Sequence, residues 1–217
     1  MARYYIGLDL GQANDYTALS VLEELNNDNG ERSYAIRHLE RYRNIPYPQV
    51  VDRVIELQQG PVLQGNAELV IDQTGLGRPV SDLFRERGVA HKAVTITGGD
   101  QESRTDDGFV FRVPKRALIS GLQILSQSGR LKVAEGLELA DVFRSELGNF
   151  RVKVSIATGH DSYEAWRAGD HDDLVLSVAL AVWGASKQPV LPSPGWGSIQ
   201  PTKSDSPRHW SQMMGNR

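Results

Sequence analysis

The order in which strand-like and helix-like segments follow one another most limits the folds open to this chain. Three segments with strand character come first, at residues 3–10, 16–25 and 31–42, and the polar NNDNG between the last two predicts a hairpin turn. From residue 47 onward, segments with helical spacing alternate with short apolar segments. This order predicts an α/β fold with a mixed sheet, antiparallel in its first three strands and parallel afterwards, with helices on both faces.

Later segments are predicted from apolar spacing and from the Pro and Gly residues at their ends. Helices are expected at YPQVVDRVIELQQG, PVSDLFRERG, PKRALISGLQILSQSG, LELADVFRSELGNF and DDLVLSVALAVWGAS, and strands at AELVID, HKAVTIT and FRVKVSIAT (150–158). The polar GGDQESRTDDG at 98–108 is predicted to be a loop. We expect residues 1–187 to form one domain and the Pro-, Ser- and Gly-rich residues 188–217 to form a flexible tail.

Composition excludes several classes of protein. The 217 residues are 40% hydrophobic and 24% charged, which is ordinary for a globular chain. No window approaches the ~18 uninterrupted apolar residues of a membrane helix, so no membrane partner is expected. The absence of cysteine excludes disulfides and thiolate zinc sites and favours the cytoplasm. A net charge of -3 argues against a general nucleic-acid coat, although a local basic groove is compatible with it.

Acidic residues recur at the ends of apolar segments. Asp9 ends the first strand, Asp72 ends a later one, and Asp172 and Asp173 begin an apolar helix. If the two strands are neighbours, their ends lie about 5 Å apart, and the helix could bring its acids to the same place. Such carboxylates repel one another unless a divalent cation neutralises them, and oxygen ligands favour Mg²⁺ or Mn²⁺. Two such ions are the usual apparatus of phosphodiester hydrolysis.

Structural roles compete with this interpretation for each acid taken alone. A single Asp after a strand most often forms a turn. Either Asp172 or Asp173 could simply be the helix N-cap, with its neighbour favoured by the helix dipole. The joint occurrence of two strand-terminal acids and an acidic helix start favours a functional cluster.

Three stretches carry a resemblance to a known family. GLDLGQANDYTALSVLE, VIDQTGLGRPVSDLF and GDHDDLVLSVALAVW resemble the acidic motifs of the nuclease domain in phage terminase large subunits, which has an RNase H-like fold. The resemblance covers roughly residues 3–186. It implies a metal-dependent endonuclease that cuts double-stranded DNA during packaging by two-metal hydrolysis, with Asp9, Asp72 and Asp173 as catalytic ligands of Mg²⁺ or Mn²⁺. Asp172 would be a supplementary ligand or the cap.

The same resemblance implies partners and supporting residues. Double-stranded DNA is the implied substrate, the host cytoplasm the implied location, and an ATPase motor, a portal or a small terminase subunit the implied partners. Terminase large subunits normally begin with the motor, yet this chain has no G-x-x-x-x-G-K-[ST] loop. Asp15 matches an acid that often follows the first motif, although a role in the adjoining turn explains it equally well.

Other polar residues near the acids have two interpretations each. His171 could donate a hydrogen bond to the scissile phosphate or to one of the metal ligands, or it could be an ordinary surface histidine without a role in the site. Four basic residues flank the predicted loop and are candidates for contacting the DNA backbone, with a solvated helix start as the alternative: Arg104, Arg112, Lys115 and Arg116. Lys115 is the best single candidate for a phosphate contact.

Three other functions remain open at this level. IGLDLG also resembles the first phosphate loop of actin and sugar kinases, although 217 residues are too few for the two domains that such proteins use. A Holliday-junction resolvase or another RNase H-like nuclease is the second alternative. The third is a non-catalytic assembly module that keeps the fold and binds a partner through its tail.

Overall fold

The chain forms an α/β structure in which one sheet carries helices on both faces. The computed structural model describes residues 2–11, 15–26, 31–75, 77–105, 109–156 and 172–188, and only the backbone of 150–156. Its strands are β1 (Tyr4–Asp9), β2 (Thr17–Asn26), β3 (Arg32–Tyr42), β4 (Ala67–Asp72), β5 (His91–Thr97), β6 (Ser103–Arg104), β7 (Val110–Pro114) and β8 (Leu131–Val133). Its helices are α1 (Tyr47–Gln59), α2 (Gly77–Glu86), α3 (Lys115–Gln127), α4 (Ala140–Ile156) and α5 (Asp173–Ser186).

The sheet is mixed in the way that the sequence predicts. Within the described ranges its strand order is β6-β7-β5-β4-β1-β2-β3-β8. The first three strands pair antiparallel, and β1, β4, β5 and β7 run parallel to one another. The predicted fold class is therefore confirmed. Because β1 and β4 are parallel neighbours, their carboxyl ends meet at one end of the sheet.

Alternate residues of the central strands face two separate cores. Ile6, Leu8 and Ile71 point to the face covered by α1 and α2. Tyr5 and Val70 point to the opposite face, which α3, α4 and α5 cover. Since side chains alternate along a strand, Asp9 and Asp72 belong to the face that α5 covers.

Helix α5 is buried on all sides, as expected for a helix that is apolar around its whole circumference. It lies close to the sheet because glycines stand at the contact. A Cβ added at Gly7 of β1 would lie 1.8 Å from the carbonyl oxygen of Ser177, and one at Gly184 would lie 2.6 Å from Val70 Cγ2. This close approach sets the position of the helix relative to β1 and β4.

Two local predictions are wrong. The expected strand at 150–158 is helical as far as Ile156, because α4 runs through it without a break. Val152 and Ile156 are four residues apart, so this short apolar run fits a helical period as well as an alternating one. The expected loop at 98–108 contains β6, which pairs with β7. Strands β7 and β8 were not predicted, since each depends on pairing with a distant partner.

The predicted tail lies, apart from Gln188, outside the described residues, so the boundary between domain and tail stays a prediction. No helix in the described part of the chain combines the length and apolar character needed to cross a membrane.

Candidate active site

Two acids stand side by side at the carboxyl ends of β1 and β4. Leu8 is paired with Ile71 in the parallel ladder, so the next residue of each strand, Asp9 and Asp72, lies at the same level of the sheet. Both belong to the face that α5 covers. Asp9 is buried, and Asp72 is held in a tight turn in which its Oδ1 accepts a hydrogen bond from Thr74 N at 2.7 Å. The two strand ends are therefore neighbours in the sheet, as the sequence predicts.

The amino end of α5 brings the other two acids to the same place. The charges of Asp72, Asp173 and Asp172 all act on Asp9, which places the four carboxylates in one neighbourhood. Asp173 is buried, and Asp172 stands at the N-cap position. The Asp172 side chain makes no capping hydrogen bond there. Its Oδ2 instead accepts a hydrogen bond from Lys115 Nζ at 3.2 Å.

The pKa of Asp9 is raised well above its usual range. Burial is the largest cause, because a carboxylate loses hydration inside the protein. The negative charges of Asp72, Asp173 and Asp172 raise the pKa further, whereas the positive charge of Lys115 lowers it. An acid cluster with this excess of negative charge would be stabilised by a cation.

The chemistry of these side chains fits a hard divalent ion. All four acids offer only oxygen, which Mg²⁺ and Mn²⁺ prefer. Among the described residues, no three potential ligands already stand at the spacing of a metal centre. Asp72, Asp172 and Asp173 are instead held by Thr74, Lys115 and Arg41. The donor set and its unbalanced charge support an ion site.

Arg41 of β3 contacts the cluster from the other side. Its Nη2 donates a hydrogen bond to Asp173 Oδ2 at 3.0 Å, and its Nη1 lies 3.3 Å from Glu146 Oε1 of α4. The guanidinium carbon stands 3.9 Å from the centre of the Tyr16 ring, at the distance of a cation–π contact. Arg41 is therefore held by two acids and one aromatic ring.

Glu146 provides the cap that Asp172 does not. Its Oε2 accepts hydrogen bonds from Leu174 N at 3.1 Å and Val175 N at 3.4 Å, the second and third residues of α5 counted from Asp173. Burial raises the pKa of Glu146 to about 7, against the effect of Arg41, which lowers it. Within the described residues, Glu146 Oε1 and Arg41 Nε have no hydrogen-bond partner.

Comparison with known proteins identifies the family. The family described as the terminase RNaseH-like domain matches residues 6–181. The chain belongs to this family. The terminase large subunits of Thermus phage G20c and Thermus virus P23-45 are each 30% identical to it over 178 residues, which are 82% of this chain and 31% of the relative. The chain thus spans about a third of the length of these relatives.

A solved structure supports the same fold for this terminase RNaseH-like domain. The crystal structure of the large terminase nuclease from thermophilic phage G20c matches with a TM-score of 0.53 and 25% identity, covering 83% of this chain and 81% of that one. The predicted family is confirmed, and the domain has the RNase H-like fold of terminase nucleases.

The structure of the terminase domain separates the predicted basic residues. Lys115 begins α3 beside the acids. Arg116 is exposed and pairs with Asp100 at 2.8 Å, and the Arg104 guanidinium lies 5.2 Å from the centre of the Phe111 ring. Arg112 is exposed and follows Phe111 in β7, so it points to the sheet face opposite the acids. Of these four, Lys115 is the one for which the described part of the chain shows a contact with the acid cluster.

Two further predicted residues have weaker support. Asp15 is exposed and lies two residues before β2, and its carbonyl oxygen would be 2.5 Å from a Cβ at Gly11. Both predicted roles of Asp15, in the turn and beside the acids, stay predictions. His171 lies outside the described residues, and its role stays a prediction.

Arg41 and Glu146 are not among the site residues that the sequence predicts. Arg41 is the next-to-last residue of β3, in the charged run ERYR, and Glu146 is one of two acids in α4. Nothing in the local pattern distinguishes them from solvated charges. They meet Asp173 only because β3, α4 and α5 come together in the tertiary structure.

Proposed function

We propose that this domain is a metal-dependent endonuclease that cleaves double-stranded DNA. The observation that supports it best is the grouping of Asp9, Asp72 and the amino end of α5 on one face of the sheet. A buried carboxylate surrounded by three others serves no evident purpose in packing. It is the arrangement expected of a site that binds cations, in a domain whose relative of known structure is a terminase nuclease.

Asp9, Asp72 and Asp173 are the proposed catalytic residues and would hold the metal, with Asp172 as a supplementary ligand. One or two Mg²⁺ or Mn²⁺ ions would fit this all-oxygen set, and such ions activate water and stabilise the leaving oxygen of a phosphodiester. Burial of Asp9 and Asp173 keeps the carboxylates in place and limits competition from water. The Lys115 ammonium, already beside Asp172, would contact a phosphate of the bound strand.

Further basic residues would guide the DNA towards the acids. Arg116 is exposed in the first turn of α3 and Arg104 is exposed in β6 opposite Phe111, and we propose that both contact the DNA backbone flanking the cut. Arg112 remains a candidate for a contact only with DNA that passes the other face of the sheet. The implied partners are an ATPase motor, a portal and a small terminase subunit, in the cytoplasm of a host cell. The motor would lie in the same longer chain or in a separate one.

Plasmid cleavage tests the proposal. Supercoiled DNA incubated with the protein and Mn²⁺ or Mg²⁺ should be nicked and linearised, and EDTA should prevent both. Asp9→Asn and Asp72→Asn should lower the rate at least about 100-fold, since each removes a charged ligand. Asp141→Asn is the matched control, because that side chain is 97% exposed and its carboxylate contacts Arg144 on its own helix.

Other outcomes would favour other functions. Failure of the wild type to cut with either ion, or full activity of Asp9→Asn, would contradict the proposal. Cleavage confined to four-way junctions, with linear duplex intact, would indicate a resolvase. Calorimetric binding of ATP with Mg²⁺ would indicate a nucleotide-binding protein instead.

A further inference from the structure

Arg41 lies in line with the two strand-terminal acids. Asp9 is paired with Ala18 across β1 and β2, and Ala18 is paired with Arg41 across β2 and β3. The row Asp72, Asp9, Ala18, Arg41 therefore crosses four neighbouring strands on the face beneath α5. Because Ala18 has only a methyl group, the space above it is left to the amino end of the helix.

Asp173 lies above this row and interacts both with Asp9 and with Arg41. It acts electrostatically on Asp9, and its Oδ2 accepts the hydrogen bond from Arg41 Nη2. The Arg41 side chain has little room to adopt another rotamer, because it is only 13% exposed and lies against the Tyr16 ring. Its contact with Glu146 connects it to the α5 cap.

The two carboxylate oxygens of Glu146 therefore contact two different groups, the first amides of α5 and the Arg41 guanidinium. Its Oε2 holds the Leu174 and Val175 amides, which sets the position of the first turn of α5. Its Oε1 faces the Arg41 guanidinium at 3.3 Å. A negative charge near a helix amino end is also favoured by the helix dipole. The helix that carries Asp173 and the arginine that holds its side chain are both oriented by one residue of α4.

We propose that Arg41 and Glu146 are positioning residues that orient Asp173 for binding of the divalent ion. Arg41 sets the direction of the carboxylate, and Glu146 sets the backbone that carries it. This inference depends on the proposed function, because it assumes that Asp173 is a metal ligand. It assigns roles to two residues that have no part in the acidic motifs.

Mn²⁺ binding to the intact chain tests the role of Arg41, with free Mn²⁺ measured by electron paramagnetic resonance. Arg41→Lys keeps the positive charge but loses the forked contact with two carboxylates. We expect its Mn²⁺ affinity to fall about 10-fold, the usual effect of removing a group that orients a ligand. DNA cleavage should fall at limiting Mn²⁺ and recover when Mn²⁺ is saturating, because the chemical groups themselves are unchanged.

Arg32→Lys is the matched control. Arg32 lies on the same strand, is 14% exposed, and donates to the carbonyl oxygens of Ala185 and Gln188 at the other end of α5. It should lose stability like Arg41→Lys but keep wild-type Mn²⁺ affinity. Equal loss of affinity in both variants would show a general loosening of α5 and would overturn the proposal, as would wild-type affinity in Arg41→Lys.

Two variants of Glu146 give an independent measurement if Arg41→Lys does not fold. Glu146→Ala removes the cap and should weaken Mn²⁺ binding about 10-fold. Glu146→Gln keeps an oxygen for the Leu174 and Val175 amides and should restore most of that affinity. Wild-type binding by Glu146→Ala would overturn the role of Glu146. A wild type that neither binds Mn²⁺ nor cuts DNA would instead contradict the proposed function, and this inference with it.

Discussion

Asp9 is buried and Glu40 is partly buried in the same sheet, and the pKa values of their carboxyl groups move in opposite directions. Burial opposes ionisation of both. For Glu40, hydrogen bonds with His38, Arg53 and Tyr42 outweigh that effect and lower the pKa to about 2. Asp9 faces other carboxylates, and its pKa rises. The first arrangement is typical of a structural ion pair, whereas the second indicates a site that needs a cation.

The charge on Asp9 should therefore weaken the metal-free fold. A carboxyl group whose pKa is raised on folding contributes stability at low pH, and that contribution is lost as the pH rises through the folded-state pKa. We expect Asp9→Asn to match the wild type at acidic pH and to be more stable at pH 8 by about 1–2 kcal/mol. Urea unfolding in EDTA across this pH range measures the difference.

The effect of Mn²⁺ on the same two proteins checks the cause. Mn²⁺ should raise the Tm of the wild type by mass action and leave that of Asp9→Asn nearly unchanged. Asp141→Asn, at an exposed position, should follow the wild type in both measurements. A wild type that is more stable than Asp9→Asn in EDTA at pH 8 would contradict this electrostatic account.

At the scale of elements, the contact between β1 and α5 determines where the acids meet. Strand β1 carries Asp9 and helix α5 carries Asp173, so their spacing sets the spacing of the carboxylates. Gly7 allows the helix backbone to lie directly on the strand. The same strand thus contributes one ligand candidate and the glycine that lets the helix bring another.

Gly7→Ala should disrupt this contact. The added methyl group would lie 1.8 Å from the Ser177 carbonyl oxygen, and a backbone atom in the middle of a buried helix cannot move aside cheaply. We expect a loss of about 3 kcal/mol in the free energy of unfolding, measured in urea, and a lower cleavage rate as α5 is displaced.

Gly121→Ala provides the control for this substitution. It lies within α3, where an added Cβ would make an ordinary contact with Val182 Cγ1 at 3.7 Å. Because alanine is the better helix former, it should raise stability by about 0.5–1 kcal/mol. Equal stabilities of the two variants would show that α5 does not depend on the glycine of β1.

At the scale of the whole molecule, the net charge of -3 does not show how the charges are distributed in space. The acids occupy the end of the sheet where β1 and β4 finish, and Lys115 stands beside them at the start of α3. Under the proposed function, a phosphate bound at the acids would contact that ammonium. Affinity for DNA should therefore depend on where cations lie more than on the total charge.

Lys115→Gln should weaken DNA binding at every sequence tested. In EDTA, to prevent cleavage, the slope of log affinity against log salt should become smaller by about 1, which is the loss of one phosphate contact. Fluorescence anisotropy with a duplex over a range of KCl measures it. Arg87→Gln is the control, because Arg87 pairs with Asp52 on the α1 and α2 side of the sheet. Equal slopes for Lys115→Gln and the wild type would exclude Lys115 as a contact.

Segment order and apolar spacing were enough to predict the class of fold and most of its elements. The strand-terminal acids were predictable because an apolar run ending in Asp near a glycine turn is a local pattern, and so is an acidic start to an apolar helix. The run at 150–158 was ambiguous because its apolar residues fit both a helical and an alternating period. It is helical as far as Ile156 because α4 continues through it without a break.

The sequence by itself determined the alternation of elements, the apolar faces and the identity of the acids, because these depend on neighbours in the chain. Only the tertiary structure decided which charges meet. Arg41 and Glu146 are 105 positions apart, and each resembles a solvated surface charge until β3 and α4 place it against α5. Lys115 was already the best single candidate for a phosphate contact in the sequence, but its contact with Asp172 became visible only once α3 was placed beside α5. Electrostatic interactions depend on distance in space, which local sequence patterns do not encode.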